Sequence, residues 1–226
     1  MRFGRVGILT TDFAAEREAM VLRQLERRGI TERRILDAFR SVPREAFVGA
    51  AYAHSAYGDH PLPIEAGQTI SQPYIVALTI QAAGIEAGDV VLEVGSGSGY
   101  AAAVISRIAD KVVGIERQHE LVEVARERVR RLGYDNVEIV EGDGTRGWPE
   151  AAPYDAIVAA ASGSHIPAPL IDQLKVGGSI VMPVGSPGRV QNLVKATKRE
   201  DGTIEQSDLG GVRFVPLIGE EGWKDA

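Results

Sequence analysis

The stretch VLEVGSGSGYAAA, residues 91–103, constrains the fold more than any other part of this sequence. A short β-branched run leads into a loop with glycines at 95, 97 and 99, and an alanine-rich run typical of a helix follows. Strand, glycine turn and helix in this order form the first half of a βαβ unit, whose loop lies at the carboxyl end of a parallel strand. The rest of the chain must therefore supply further parallel strands and connecting helices.

The sequence after residue 100 supplies them by alternating helical runs with short apolar runs. Helices are predicted at about 100–109, at 120–132 and near APLIDQL, and the intervening strands are KVVGIE, NVEIVEG, YDAIVAA and GSIVMPV. NLVKATKRE and VRFVPLIG are predicted as two more strands, joined by a hairpin or a longer loop at Asp201-Gly202. The fold class is therefore α/β, a doubly wound, mostly parallel, Rossmann-like sheet with antiparallel C-terminal edge strands.

The part before the glycine loop is predicted to be helical. Helical spacing covers residues 15–29 and the following run around Phe39, and another helix follows Pro73 to about Gly84. We expect one domain over 1–226, with N-terminal helices and an active-site loop at 15–84, a cofactor-binding core at 88–185 and C-terminal antiparallel strands at 190–219. The first fourteen residues show no interpretable pattern.

Composition excludes several classes of function. The chain has no cysteine, so it forms no disulfide, no zinc-thiolate site and no cysteine nucleophile. It lacks a long N-terminal apolar run, so we expect a cytoplasmic protein without a membrane partner. The net charge of −6 argues against binding to a nucleic acid. The basic cluster in ERVRRLG is interpreted as a solvated helix face; it comprises Arg126, Arg128, Arg130 and Arg131.

The glycine loop predicts a nucleotide-like ligand. Glu116 ends the next strand, where a carboxylate can accept hydrogen bonds from ribose hydroxyls, and Asp143 ends the third strand, where it can reach the base. A dinucleotide needs the spacing G-x-G-x-x-G, whereas this loop has G-x-G-x-G. Glu93 would repel a pyrophosphate but suits an ammonium and a sulfonium. This favours S-adenosylmethionine over a dinucleotide, or over a glycine turn kept only for packing.

The absence of several catalytic motifs narrows the possible classes of methyl acceptor. The run after the fourth strand, AAASGSH, is not the N-P-P-Y type common in enzymes that methylate exocyclic amines of bases. Carbon-5 methylation of pyrimidines usually needs a cysteine. Metal-assisted catechol chemistry needs clustered carboxylates, but Asp155 alone lies near that strand, so no metal site is predicted. These absences favour an acceptor that is already a nucleophile.

Several motifs together resemble the protein L-isoaspartate (D-aspartate) O-methyltransferase family. They are GQTISQPY, VLEVGSGSGY, GDG, IPAPLIDQLKVGG and VRFVPL, and the resemblance runs from about Val42 to Gly219. QTISQP and VRFVPL are specific to the family, whereas the glycine loop is shared by methyltransferases at large. The resemblance implies methyl transfer from S-adenosylmethionine to the α-carboxylate of isoaspartyl and D-aspartyl residues in damaged proteins and peptides, carried out by a monomer.

The resemblance also implies the site residues. Ser71 matches the family's active-site serine, and we expect its hydroxyl to orient the acceptor carboxylate. A carboxylic acid with a pKa of roughly 3.5 is ionised at neutral pH, so no general base is needed. The expected cofactor-binding residues are Thr69, Ile70, Ser71, Gln72, Gly95, Ser96, Gly97, Gly99, Glu116, Asp143 and Gly144.

Four alternatives remain open from the sequence. Ser71 could be a plain N-cap of the helix that follows Pro73. The acceptor could be a small-molecule carboxylate, or the chain could be a regulatory module that binds the cofactor without turnover. The VRFVPLIG run could lend backbone groups to an extended peptide by edge-strand addition, or could be an ordinary edge strand.

Overall fold

A seven-stranded sheet forms the centre of the protein in the computed structural model, which describes residues 12–224. The strands are β3 (Val90–Val94), β4 (Lys111–Glu116), β5 (Val137–Glu141), β6 (Tyr154–Ala159), β7 (Leu174–Val184), β8 (Gln191–Lys198) and β9 (Ile204–Val212). Their order is β5-β4-β3-β6-β7-β8-β9, and the pairs from β5 to β7 are parallel. The last two pairs are antiparallel, as the sequence predicts.

Helices cover the sheet and precede it. They are α1 (Phe13–Met20), α2 (Arg33–Ser41), α3 (Pro73–Ala83), α4 (Tyr100–Ile105), α5 (His119–Arg131) and α6 (Ala168–Asp172). A π-helical turn and a 3₁₀ turn extend α1 to Arg28, and Gly29 ends it with a positive φ of 95°. A two-stranded ribbon, β1 (Leu62–Pro63) with β2 (Thr69–Ile70), stands between α2 and α3. None of the helices in the described residues is long and apolar enough to span a membrane.

Both faces of the parallel sheet are buried at its centre, which explains why β3, β4 and β6 are largely apolar runs. Successive residues alternate between two cores: Val91 packs on the side of α1 to α5, and Leu92 packs on the side of α6. The chain leaves β3 towards β4 on one side and returns through β6 on the other. The strand order therefore reverses at the carboxyl end of β3, which is where doubly wound sheets bind ligands.

The prediction that VRFVPLIG is a strand is wrong, because the last strand ends at Val212. Pro216 has no N–H to donate to a ladder, and the chain turns away from the sheet edge. The N–H of Ser162 donates to the Val215 carbonyl at 2.8 Å, and the N–H of Leu217 donates to the Ser162 carbonyl at 2.9 Å. Residues 213–218 therefore cross back to the loop that follows β6.

The interpretation of the basic cluster on α5 as a solvated face is wrong for Arg128. This side chain is buried, and its guanidinium forms two hydrogen bonds with the Glu65 carboxylate, at 2.7 and 3.2 Å. Arg126 and Arg130 pair with glutamates on their own helix, as residues of an exposed face do. The Arg128–Glu65 pair ties α5 to the ribbon that leads into the QTISQP segment.

Candidate active site

The glycine loop after β3 adopts a conformation that favours glycine. Gly95 and Gly99 have φ values of 83° and 85°, in the left-handed region that L side chains rarely occupy. A Cβ on Gly99 would also lie 3.3 Å from the Ala125 Cβ of α5. The N–H of Gly95 donates to the Ile115 carbonyl at 2.9 Å. The loop therefore holds a fixed concave turn between β3 and α4 and exposes backbone there.

Glu116 organises this turn from the end of β4. Its Oε2 accepts a hydrogen bond from the Gly97 N–H at 3.1 Å, and its Oε1 accepts from the N–H groups of Arg117 and Gln118 at 2.8 and 3.0 Å. A carboxylate offers about four acceptor positions, so it retains capacity for a further donor. Glu116 thus joins the glycine loop to the start of α5 and can also receive a ligand hydroxyl.

Two clefts meet at this edge of the sheet. The glycine-loop cleft has a volume of about 210 Å³ and is lined by Gly95, Gly97, Glu116, Gln118 and Gly144 among others. The outer cleft has a volume of about 700 Å³ and is lined by the 69–72 segment and by residues of the 211–216 segment. Four residues line both clefts: Thr69, Ala160, Val215 and Pro216.

Ser71 lies where the outer cleft approaches the glycine loop. It lines the outer cleft and also a recess of about 40 Å³, which it shares with Glu93 and with Gly95 and Gly97. Ile70 lines the same recess and is 4% exposed. The structure therefore brings Thr69, Ile70 and Ser71 together with the glycine loop. Gln72 lines the outer cleft but not the glycine-loop cleft.

The interpretation of Ser71 as a helix cap is wrong. The N-cap position of α3 belongs to Gln72, and no side chain caps that helix. Pro73 occupies the first helical position, where its missing N–H leaves no hydrogen bond unmade. The Ser71 hydroxyl is therefore not used by the helix.

A polar clamp holds this segment in place. The Gln72 Nε2 donates to Asp59 Oδ2 at 2.7 Å, and the same Asp59 oxygen accepts from Arg28, beyond the end of α1. The Arg28 guanidinium also lies over the Tyr74 ring, 3.4 Å from its centroid. Contacts with Gln72 and Tyr74 thus hold the backbone that directly follows Ser71.

Glu93 is a buried carboxyl group facing this recess. It is 2% exposed, and its Oε2 has no hydrogen-bond partner among the described residues. Burial, with a smaller contribution from the nearby Glu116, raises the pKa of Glu93 to about 8. A buried carboxyl oxygen without a hydrogen-bond partner is unfavourable unless a ligand supplies one, so Glu93 fits a cationic ligand atom in the recess.

Comparison with known proteins decides the family. The family model described as protein-L-isoaspartate(D-aspartate) O-methyltransferase matches residues 15–222. The chain belongs to this family. A Pelobacter propionicus protein-L-isoaspartate O-methyltransferase is 54% identical over 92% of this chain and 92% of its own length. A Methanoculleus marisnigri relative with the same enzyme name is 53% identical, over 92% of this chain and 94% of its own.

Solved structures of isoaspartate methyltransferases share the fold. One superimposes with a TM-score of 0.84 at 33% identity, covering 91% of this chain and 67% of its own. A Plasmodium falciparum structure, described as a complex of such an enzyme with S-adenosyl-L-homocysteine, has a TM-score of 0.77 at 27% identity. It covers 89% of this chain and 98% of its own.

In this member of the isoaspartate methyltransferase family, Asp143 is not among the residues that line the glycine-loop cleft, and it lines a neighbouring cleft with Gly142 and Arg146. Its carboxylate accepts from the Thr145 N–H and hydroxyl and from the Glu220 N–H, at 2.7 to 2.9 Å. Partial burial opposes ionisation, but these hydrogen bonds outweigh it and hold the pKa of Asp143 below its usual value. The neighbouring Gly144 does line the cleft, where a Cβ would meet Val94 at 2.7 Å.

Sequence reasoning missed Ala160 and misassigned the local structure of Val215 and Pro216, and all three residues line both clefts of this methyltransferase. Ala160 follows β6 directly, and its position at a strand end was a usable signal. The sequence places Val215 and Pro216 in a strand that either contacts a peptide or is an ordinary edge strand, and only the long-range bonds to Ser162 reveal their place. The described residues contain no group of three or more His, Cys, Asp or Glu side chains that could hold a metal ion.

Proposed function

We propose that this protein methylates the α-carboxylate of L-isoaspartyl residues, and of D-aspartyl residues, in damaged proteins and peptides. S-adenosylmethionine supplies an electrophilic methyl group on a sulfonium. The observation that carries the proposal is the position of Ser71, on the outer cleft and on the recess shared with Glu93 and the glycine loop. Together with family membership, this supports an acceptor in the outer cleft and a cofactor against the glycine loop.

In this proposal, different residues bind the cofactor, separate the two ligands and orient the acceptor. The glycine loop and Glu116 hold the nucleoside, with the Glu116 carboxylate accepting from ribose hydroxyls. Thr69 and Ile70 separate the two ligands. The Ser71 hydroxyl donates a hydrogen bond to the acceptor carboxylate and sets its direction of approach. An ionised carboxylate oxygen then gains the methyl group, and the products are a methyl ester and S-adenosylhomocysteine.

No general base is required, because the acceptor is an anion at neutral pH. The acceptor loses water when it enters the cleft, which increases the reactivity of the anion. The ester is then expected to close to a succinimide without the enzyme, and hydrolysis of the succinimide returns part of the chain to normal aspartate. Through this sequence, methylation would repair the backbone.

The test compares an isoaspartyl peptide with its aspartyl twin of the same sequence. We expect base-labile methyl ester on the isoaspartyl peptide and no more than background on the twin, measured by transfer of labelled methyl groups. Equal rates on both peptides would contradict the repair function and favour a general carboxylate methyltransferase. Cofactor binding without ester on either peptide would favour a regulatory module.

A second prediction concerns the protonation of Glu93. Because the pKa of Glu93 is raised to about 8, its carboxyl is mostly protonated at pH 7 without ligand. A cationic methionine tail in the recess favours the ionised form, so cofactor binding should release a proton at pH 7, and this release should fade above pH 9. Calorimetric titration in buffers of different ionisation enthalpy measures it. In Glu93→Gln the release should disappear, and its persistence there would assign the proton to another group.

The finer features of the proposal are a monomeric, single-domain enzyme of the cytoplasm that does not bind nucleic acid. The net charge of −6 supports the absence of nucleic-acid binding, and the absence of cysteine is consistent with a reducing cytoplasm. Sedimentation at micromolar concentration tests the oligomeric state, because a dimer would double the mass of 24.2 kDa.

A further inference from the structure

The outer cleft is apolar over much of its lining away from the 69–72 segment, and it contains one charged residue. Val190 and Val215 are 58% and 41% exposed, and Ile75, Phe214 and Pro61 add further apolar surface. Among the described residues that line this cleft, Arg213 alone carries a charge. A cleft of this kind fits an extended chain segment with apolar side chains and one negative group.

Arg213 has no partner within the described part of the protein that would neutralise it. It forms no ion pair or hydrogen bond there, and the carboxylates of its own hairpin are engaged elsewhere. Asp208 accepts from the Gly210 N–H at 2.8 Å, and Glu205 pairs with Arg199. Arg213 is exposed and lines the cleft.

The negative net charge of the chain makes Arg213 important for the binding of an anionic acceptor. With a net charge of −6, the protein repels an anionic acceptor at long range. A single arginine on the wall of the acceptor cleft offsets that repulsion where the acceptor enters. The methylated carboxylate itself is assigned to Ser71, and a guanidinium bound to the same oxygens would draw away the electron density needed for attack. The natural ligand of Arg213 is therefore a second carboxylate.

We propose that Arg213 binds an acidic side chain of the acceptor, so that the enzyme selects isoaspartyl sites flanked by Asp or Glu. This inference rests on the proposed function and adds the class of peptide that the same cleft prefers. Arg213 is thus a specificity-determining residue. Its contribution changes with the charge of the acceptor's flank, whereas a purely structural role would affect all acceptors alike.

The experiment uses synthetic isoaspartyl heptapeptides with Glu, Gln or Lys immediately before or immediately after the isoaspartyl residue. At one of the two positions, kcat/KM should fall in the order Glu, Gln, Lys by about three- to fivefold per step, as expected for an exposed ion pair. In Arg213→Gln the three peptides should agree within about twofold, and in Arg213→Glu the order should reverse. High salt should compress the wild-type preference.

The matched control is Arg131→Gln, which makes the same charge change on an exposed residue at the end of α5. It should keep the wild-type order. A wild-type enzyme that does not discriminate among the flanks, or a preference that survives in Arg213→Gln, overturns the inference. A uniform loss on all peptides in Arg213→Gln also overturns it, because the arginine would then bind the methylated carboxylate. If no isoaspartyl peptide is methylated, the proposed function fails and the inference falls with it.

Discussion

Replacement of Ser71 by alanine should lower kcat/KM for an isoaspartyl peptide by about 10- to 100-fold. A hydrogen bond to a charged group contributes about 1.5–3 kcal/mol, and each 1.4 kcal/mol corresponds to a factor of ten. The melting temperature should stay within about one degree, because α3 starts at Pro73 and no side chain caps it. Steady-state assays with labelled cofactor, together with thermal denaturation, measure both quantities.

Two further variants sharpen this test. Ser71→Thr keeps the hydroxyl and should recover part of the lost activity, and Ser207→Ala removes an exposed hydroxyl from β9, outside the clefts, and should change nothing. The affinity of Ser71→Ala for S-adenosylhomocysteine should remain within about threefold of wild type. Normal turnover by Ser71→Ala, with the protein folded, would remove the serine from the mechanism.

Replacement of Glu116 by alanine should weaken cofactor binding by about 100-fold. The variant loses an acceptor for the ribose, at about 1.5–3 kcal/mol for a charged hydrogen bond. It also leaves the N–H groups of Gly97, Arg117 and Gln118 without the carboxylate that holds the turn. Calorimetric titration with S-adenosylhomocysteine gives the dissociation constant.

The control for this prediction is Glu138→Ala on the neighbouring strand β5. Glu138 pairs with Lys111 at the surface, and exposed pairs of this kind contribute at most about 1 kcal/mol. Its cofactor affinity should match that of wild type. Glu116→Gln should fall between wild type and Glu116→Ala, since an amide oxygen still accepts but carries no charge. Unchanged affinity in both Glu116 variants would place the ribose elsewhere.

The parallel half of the fold could be predicted from local patterns because those patterns determine it. The central strands β3, β4 and β6 are largely apolar and buried on both faces, and the glycines at 95 and 99 require a turn at the end of β3. The carboxyl ends of parallel strands share one edge, so the proximity of Glu116 to the glycine loop follows from topology alone. The family motif then added Ser71, which no periodicity distinguishes from a cap.

The rest depended on contacts between residues far apart in the chain. VRFVPLIG has the composition of a strand, but Ser162, more than fifty positions earlier, takes its hydrogen bonds. Asp143 ends a strand as a ligand-binding carboxylate would, yet Glu220 supplies one of its three donors. Arg128 has the spacing of an exposed helix face, yet it is buried and forms an ion pair with Glu65. Side-chain partners of this kind leave no local signature.

The clamp that joins Arg28, Asp59 and Gln72 makes turnover depend on the chain's N-terminal layer. A substitution that displaces Arg28 would shift the hydroxyl of Ser71 by a fraction of an ångström and leave the affinity for the cofactor unchanged. Natural variation in the N-terminal helices can therefore change the rate at which damaged proteins are repaired without changing the affinity for S-adenosylmethionine.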